Sequence, residues 1–229
     1  MTEVESFRQI SFEKELARAK WFKEDLQNGG WKEIYNNTGS QYWMKTFREE
    51  KIPVKVLFTF DMPMPAEAFV KLLHPSMQET RLKWDKAFVK HQVLETFPNN
   101  EGYVTYMVTE TSWPLQDREF VLFIPPAQKV NWFGEEAFMI LQRNAWHASK
   151  STSFFGPVRA ENGGNYFIVI PDKEEPDKKC HTFALTNNNY NGILPNNGFE
   201  SLISRAIPKT FNVWRESLIE GYENYLKLE

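Results

Sequence analysis

The sequence predicts an α+β fold: one curved antiparallel sheet of about nine strands, with helices segregated against it. Three observations carry this reading. Short strand-like runs recur along the middle of the chain, punctuated by Asn- and Gly-rich turns. A block over 63–85 interrupts them with two helical patterns, each opened by a proline. The stretch 199–227 is amphipathic at helical spacing and long enough to fill the concave face that so large a sheet must form.

Each element has its own signal. Over residues 1–28, Phe7, Ile10, Leu16, Ala17, Trp21 and Phe22 recur at roughly helical spacing, giving a helix over 5–27 that Asn28-Gly29-Gly30 stops. Strands follow at 31–35, 42–47 and 53–60. The last alternates, with Val54, Val56, Phe58 and Phe60 on one face and Lys55 and Thr59 on the other. Pro65 and Pro75 open the short helices 65–73 and 75–84. Strands resume at 86–97, 103–111, 117–124, 136–147, 164–170 and 180–188. In the final helix Leu202, Ala206, Phe211, Trp214, Leu218, Tyr222, Tyr225 and Leu226 form the apolar stripe, and Pro208 predicts a kink near its start. With no repeat or linker, the chain reads as a single domain over 1–229.

Composition narrows the function. Lys and Arg number 27 against 30 Asp and Glu, for a net charge of −3, which argues against a nucleic-acid partner. Nineteen Phe, eight Trp and eight Tyr can line a large apolar interior. The single Cys180 excludes an internal disulfide and reads as a buried, idle strand cysteine. No apolar run approaches the roughly 18 residues of a membrane span, and the acidic start carries no secretion signal. A monomeric cytoplasmic protein is expected. His74, His91, His147 and His181 are scattered without ligand spacing and are expected in surface or hydrogen-bonded roles, so no metal, cofactor or catalytic set is expected.

The informative residues are four short motifs. Arg81-Leu82-Lys83-Trp84-Asp85 sets Arg81 and Asp85 one helical turn apart; as a surface pair they would contribute only a few tenths of a kcal/mol. Trp113-Pro114-Leu115-Gln116-Asp117-Arg118-Glu119-Phe120-Val121 is a proline-containing loop feeding a strand. Val158-Arg159-Ala160 and Gly192-Ile193-Leu194-Pro195 complete the set. In this order and spacing, over about 20–227, they resemble the steroidogenic-acute-regulatory-protein-related lipid transfer domains, the START family.

That resemblance implies a helix-grip fold, in which the C-terminal lid helix closes a lipid tunnel, and transfer of one lipid between membranes without chemistry. An enzyme of the same shape, cyclase- or hydrolase-like, is the alternative, as is a sensor of sterol or ceramide. Arg81 and Asp85 match the tunnel pair that meets phosphate in the family's phosphatidylcholine carrier. The choline cage does not carry over, because its positions fall on Met107, Phe120 and near Gly163. The sterol carriers' polar pair falls on Thr105 and Ile124. Arg143 falls where the ceramide carrier keeps a headgroup-binding Asn; it adds a second cation if its strand register turns it inward, and faces solvent otherwise. The implied cargo is a phospholipid of loose headgroup preference. Its walls are expected from Val56, Phe58, Met107, Phe120, Leu122, Phe167, Trp214, Leu218 and Tyr222. Trp113, Pro114 and Leu115 are the expected transient membrane contact, since Trp favours the membrane interface.

Overall fold

A computed structural model describes residues 8–110, 116–152, 155–191 and 199–227. Helix α1 (Phe12–Asn28) begins where the Ser11 side chain accepts the Lys14 N–H, and Glu13 and Glu15 in its first turn suit the helix dipole. A hairpin of β1 (Lys32–Asn37) and β2 (Ser40–Thr46) leads to β3 (Val54–Met62). The two short helices follow as α2 (Ala66–Leu73) and α3 (Gln78–Trp84), joined by a 3-10 turn at Pro75–Met77. Next come β4 (Phe88–Phe97), β5 (Gly102–Thr109), β6 (Arg118–Ile124), β7 (Gln128–Trp132) and β8 (Glu135–Asn144). The two-residue strands β9 (Val158–Arg159) and β10 (Glu161–Asn162) precede β11 (Asn165–Pro171) and β12 (Cys180–Thr186). After the brief β13 (Asn188–Asn189), the long helix α4 (Phe199–Tyr225) continues through Pro208.

The main sheet runs β1-β2-β3-β12-β11-β8-β6-β5-β4, so every strand expected from the sequence lies on one path with free edges at β1 and β4. The pairs along it are antiparallel; only β9, hung parallel on β6, departs from that rule. Side-chain alternation then divides the interior in two. Val54, Val56, Phe58, Phe60 and Met62 of β3 face α4, together with Val169 and Ile140. Leu57, Met139, Leu141, Tyr166, Ile168 and Phe183 point the other way and bury Ala19 and Phe22 of α1. Burial of a side chain such as Phe22 stabilises by about 1.5–3 kcal/mol, which anchors α1 to the outer face.

The β6–β8 seam is short, with Leu122 opposite Asn144 and Phe123 opposite Arg143. Residues opposite each other share a face. Phe123 belongs to an outer cluster with Val104, Tyr106 and Val121. Met107, Phe120, Leu122 and Ile124 therefore face inward, where they pack with Ala160, Phe88 and Tyr190. The face toward α4 thus holds two apolar clusters, one under the helix and one over β5 and β6.

Candidate functional site

Helix α3 ends on Asp85, whose extended backbone (φ −82°, ψ 90°) closes the last turn by donating its N–H to the Arg81 carbonyl. The one-turn spacing brings the side chains together, and Arg81 Nε donates to Asp85 Oδ2 at 3.0 Å. The pair is not on the surface: Arg81 is 4% and Asp85 1% exposed. Asp85 has further donors, the Ala87 N–H on Oδ1 and Trp214 Nε1 of α4 on Oδ2, both at 3.2 Å. Arg81 is otherwise held by rings, its guanidinium 4.7 Å from the Phe88 ring centre and 5.8 Å from that of Trp84. Beyond the Nε bond, its Nη groups donate to no described residue. Burying two ions costs several kcal/mol each, so the weak surface-pair arithmetic does not apply here.

Strand β4 supplies a neighbour that the sequence reading set aside. His91 lies opposite Met107, which turns its ring to the inner face, and it is 5% exposed. The ring stacks on Phe88 with centres 5.7 Å apart. Neither Nδ1 nor Nε2 has a hydrogen-bond partner among the described residues. Burial, and then the adjacent Arg81 charge, push its pKa down to about 3, so the imidazole is neutral at pH 7. This corrects the expectation of a surface or hydrogen-bonded His91.

Trp214 and Leu218 sit in the cluster under α4, Leu218 fully buried. Several expected wall residues there are in ring contact with the helix. Phe58 stacks on Phe211 at 4.1 Å, and Phe167 stacks on Trp214 at 5.8 Å. Met107, Phe120 and Leu122 lie in the other inner cluster, nearer His91. Gly221 of α4 lies against the Trp84 indole, where a Cβ would come within 2.8 Å of ring atoms. That close approach seats α4 directly on α3.

Arg143 does not join the site. It shares its face of β8 with Met139 and Leu141, so it points toward α1 and pairs with Glu15. The inward register considered from the sequence is the wrong one. Trp113, Pro114 and Leu115 lie outside the described residues, as do Gly192 to Pro195. Two other motif residues prove architectural. Arg118 donates to the backbone carbonyls of Tyr190 at 2.6 Å, Asn191 at 3.2 Å, and Gln116. Glu119 accepts Arg159 Nε at 2.9 Å and the Tyr106 hydroxyl at 2.6 Å. The stretches 118–119 and 158–159 of these motifs are thus the two sides of one junction, β9 on β6. Cys180 is fully buried, and burial pushes its thiol pKa up to about 12.

Known structures repeat this architecture. Human STARD10 superposes with a TM-score of 0.75 at 17% identity, over 96% of this chain and 86% of the other. Human StAR-related lipid transfer protein 5 gives 0.71 at 15% identity, over 93% and 99% of the two chains. The lipid transfer and protein localization domain of human StarD13 gives 0.61 at 14%, over 95% and 100%. At such identities these likenesses show the fold. No curated protein sequence matches the chain. The sequence does match the profile of the START domain over residues 11–221, which spans all of the sheet and most of α4, and the chain belongs to that family.

Proposed function

We propose that this START domain holds one phosphate-bearing lipid between the inner sheet face and α4 and carries it between membranes. The observation that supports this most is Arg81: a buried guanidinium with Nε on Asp85 and Nη groups that donate to no described residue. A fork of N–H donors with no described partner, set among aromatic rings, suits a phosphate oxygen. With Arg143 on the outer face, the phosphate reading rests on this one cation. Asp85 accepts from Arg81, Ala87 and Trp214, so both its oxygens are engaged in holding the guanidinium and α4, which supports carriage rather than catalysis.

The driving force for a carrier is large. Two 16-carbon chains hold about 30 methylenes, and at ~0.8 kcal/mol each their exposure to water costs on the order of 24 kcal/mol. Spontaneous desorption is correspondingly slow. The apolar residues facing α4 are the material from which shelter for such chains is built. Contact with the donor membrane falls to Trp113, Pro114 and Leu115, on the interfacial preference of tryptophan, with the protein acting in the cytoplasm and transiently at membranes. Mass spectrometry of the purified protein, native and after extraction, tests the reading. A stoichiometric phospholipid that Arg81→Ala no longer retains is expected; wild-type loading and transfer by Arg81→Ala would overturn it.

A further inference from the structure

The ring nitrogens of His91 make a demand that the described residues leave unmet. A neutral imidazole carries one N–H donor and one lone-pair acceptor. Both are buried and have no hydrogen-bond partner among the described residues, on a side chain 5% exposed and stacked on the same Phe88 that faces Arg81. Orphaned buried polar atoms are costly, so such a pair calls for a partner. Two features of that partner follow from the surroundings. The Arg81 Nη donors beside His91 select an acceptor-rich anion, and the His91 N–H can join them on one phosphate. The lone pair of the other nitrogen needs a hydrogen on the ligand.

We propose that His91 is a headgroup-binding residue, and that with Arg81 it selects phospholipids whose headgroup carries an N–H or O–H over those ending in a quaternary ammonium. The inference rests on the carrier reading above and sharpens it. A primary ammonium or a hydroxyl can donate to the imidazole lone pair. A trimethylammonium has no hydrogen to give and needs an electron-rich aromatic box instead. His91 faces Met107 across the strand pair and Phe88 along its own strand, so its flanks offer a thioether and one phenyl ring rather than such a box.

The test is vesicle-to-vesicle transfer by the full chain, with dioleoyl phosphatidylethanolamine and dioleoyl phosphatidylcholine in competition. Wild type is expected to favour the ethanolamine lipid by roughly 5- to 160-fold, the range for leaving one buried acceptor unpaired. His91→Leu, which removes both polar atoms at similar bulk, should carry the two lipids within about 3-fold of each other. His91→Gln, which restores one donor and one acceptor, should recover most of the preference and stands in if the leucine variant fails to fold. Transfer of both lipids by wild type without preference overturns the inference and leaves the carrier reading intact. So does a preference that His91→Leu keeps. Transfer of neither lipid overturns the carrier reading and the inference with it.

Discussion

Replacing both members of the Arg81–Asp85 pair separates what it does for the fold from what it does for a ligand. At ~4 Å and an effective dielectric near 20, two unit charges attract by about 4 kcal/mol, which the desolvation of two buried ions largely cancels. Removing one partner of a buried pair costs about 3–5 kcal/mol, because the other is left uncompensated. The two single losses should differ here. Without Arg81, Asp85 still accepts from Ala87 and Trp214; without Asp85, Arg81 makes no hydrogen bond to a described residue. Asp85→Ala therefore belongs at the upper end, ~4–5 kcal/mol, and Arg81→Ala near ~3 kcal/mol. The double replacement Arg81→Met with Asp85→Leu leaves no charge behind and should lie within about 1 kcal/mol of wild type, the gain from removing two buried ions offsetting the Ala87 N–H and the Trp214 indole N–H that lose their acceptor. Urea unfolding of delipidated protein, followed by tryptophan fluorescence, resolves this: at a slope of ~2 kcal/mol per molar, Asp85→Ala moves the midpoint down by about 2 M. The double variant should keep its midpoint and lose its phospholipid. A double variant as unstable as Asp85→Ala, or one that still carries phospholipid like wild type, would refute the argument.

Three further outcomes are expected. His91 is held neutral in the fold, so its contribution to stability is complete above its unfolded pKa of ~6.5 and is lost as pH falls toward about 3, with a slope of at most ~1.4 kcal/mol per pH unit. His91→Phe should flatten that limb of a pH–stability curve; an unchanged slope would show that the ring titrates freely. Cys180 should resist a maleimide in the native protein and react fully in urea, since its thiol is buried and its pKa is raised to about 12. Trp113→Ala should slow vesicle-to-vesicle transfer several-fold with lipid content and melting temperature unchanged, and unimpaired transfer would remove Trp113 from the mechanism.

Legibility followed periodicity. Strand β3 alternates, and its faces came out as read, Val54, Val56, Phe58 and Phe60 toward α4 and Lys55 away from it. Strand β8 could not be read that way. Ala137, Phe138, Met139, Ile140 and Leu141 are apolar on both faces because both are covered, so nothing in the run fixed the direction of Arg143. His91 was obscure for a related reason. Val89-Lys90-His91-Gln92-Val93-Leu94 does not alternate, and β4 shifts register at 88–90 and again at 93–95. Strand β7 was missed because its turn to β8 puts Phe133 at φ 51° ahead of Gly134 at φ 94°, a conformation for which Asn is the usual signal. Helix α1 was drawn from residue 5, whereas Ser11 caps it at Phe12. The Arg81–Asp85 spacing is legible in the residues themselves, whereas its burial is legible only through the family resemblance, since that depends on α4 arriving from the far end of the chain.

One oxygen atom ties the ends of this site together. Asp85 Oδ2 accepts both Arg81 Nε from α3 and Trp214 Nε1 from α4, so the seat of the long helix and the orientation of the guanidinium share an acceptor. Two equilibria that draw on one atom are thermodynamically coupled, and coupling is reciprocal. Whatever factor separates cargo affinity with α4 docked from that with α4 lifted is the factor by which cargo holds the helix down. A membrane surface that draws α4 away would thereby loosen the grip on the proposed cargo without touching it. Hydrogen exchange along α4 reads the same number from the other side: its protection should rise on loading in wild type, and rise less in Trp214→Phe.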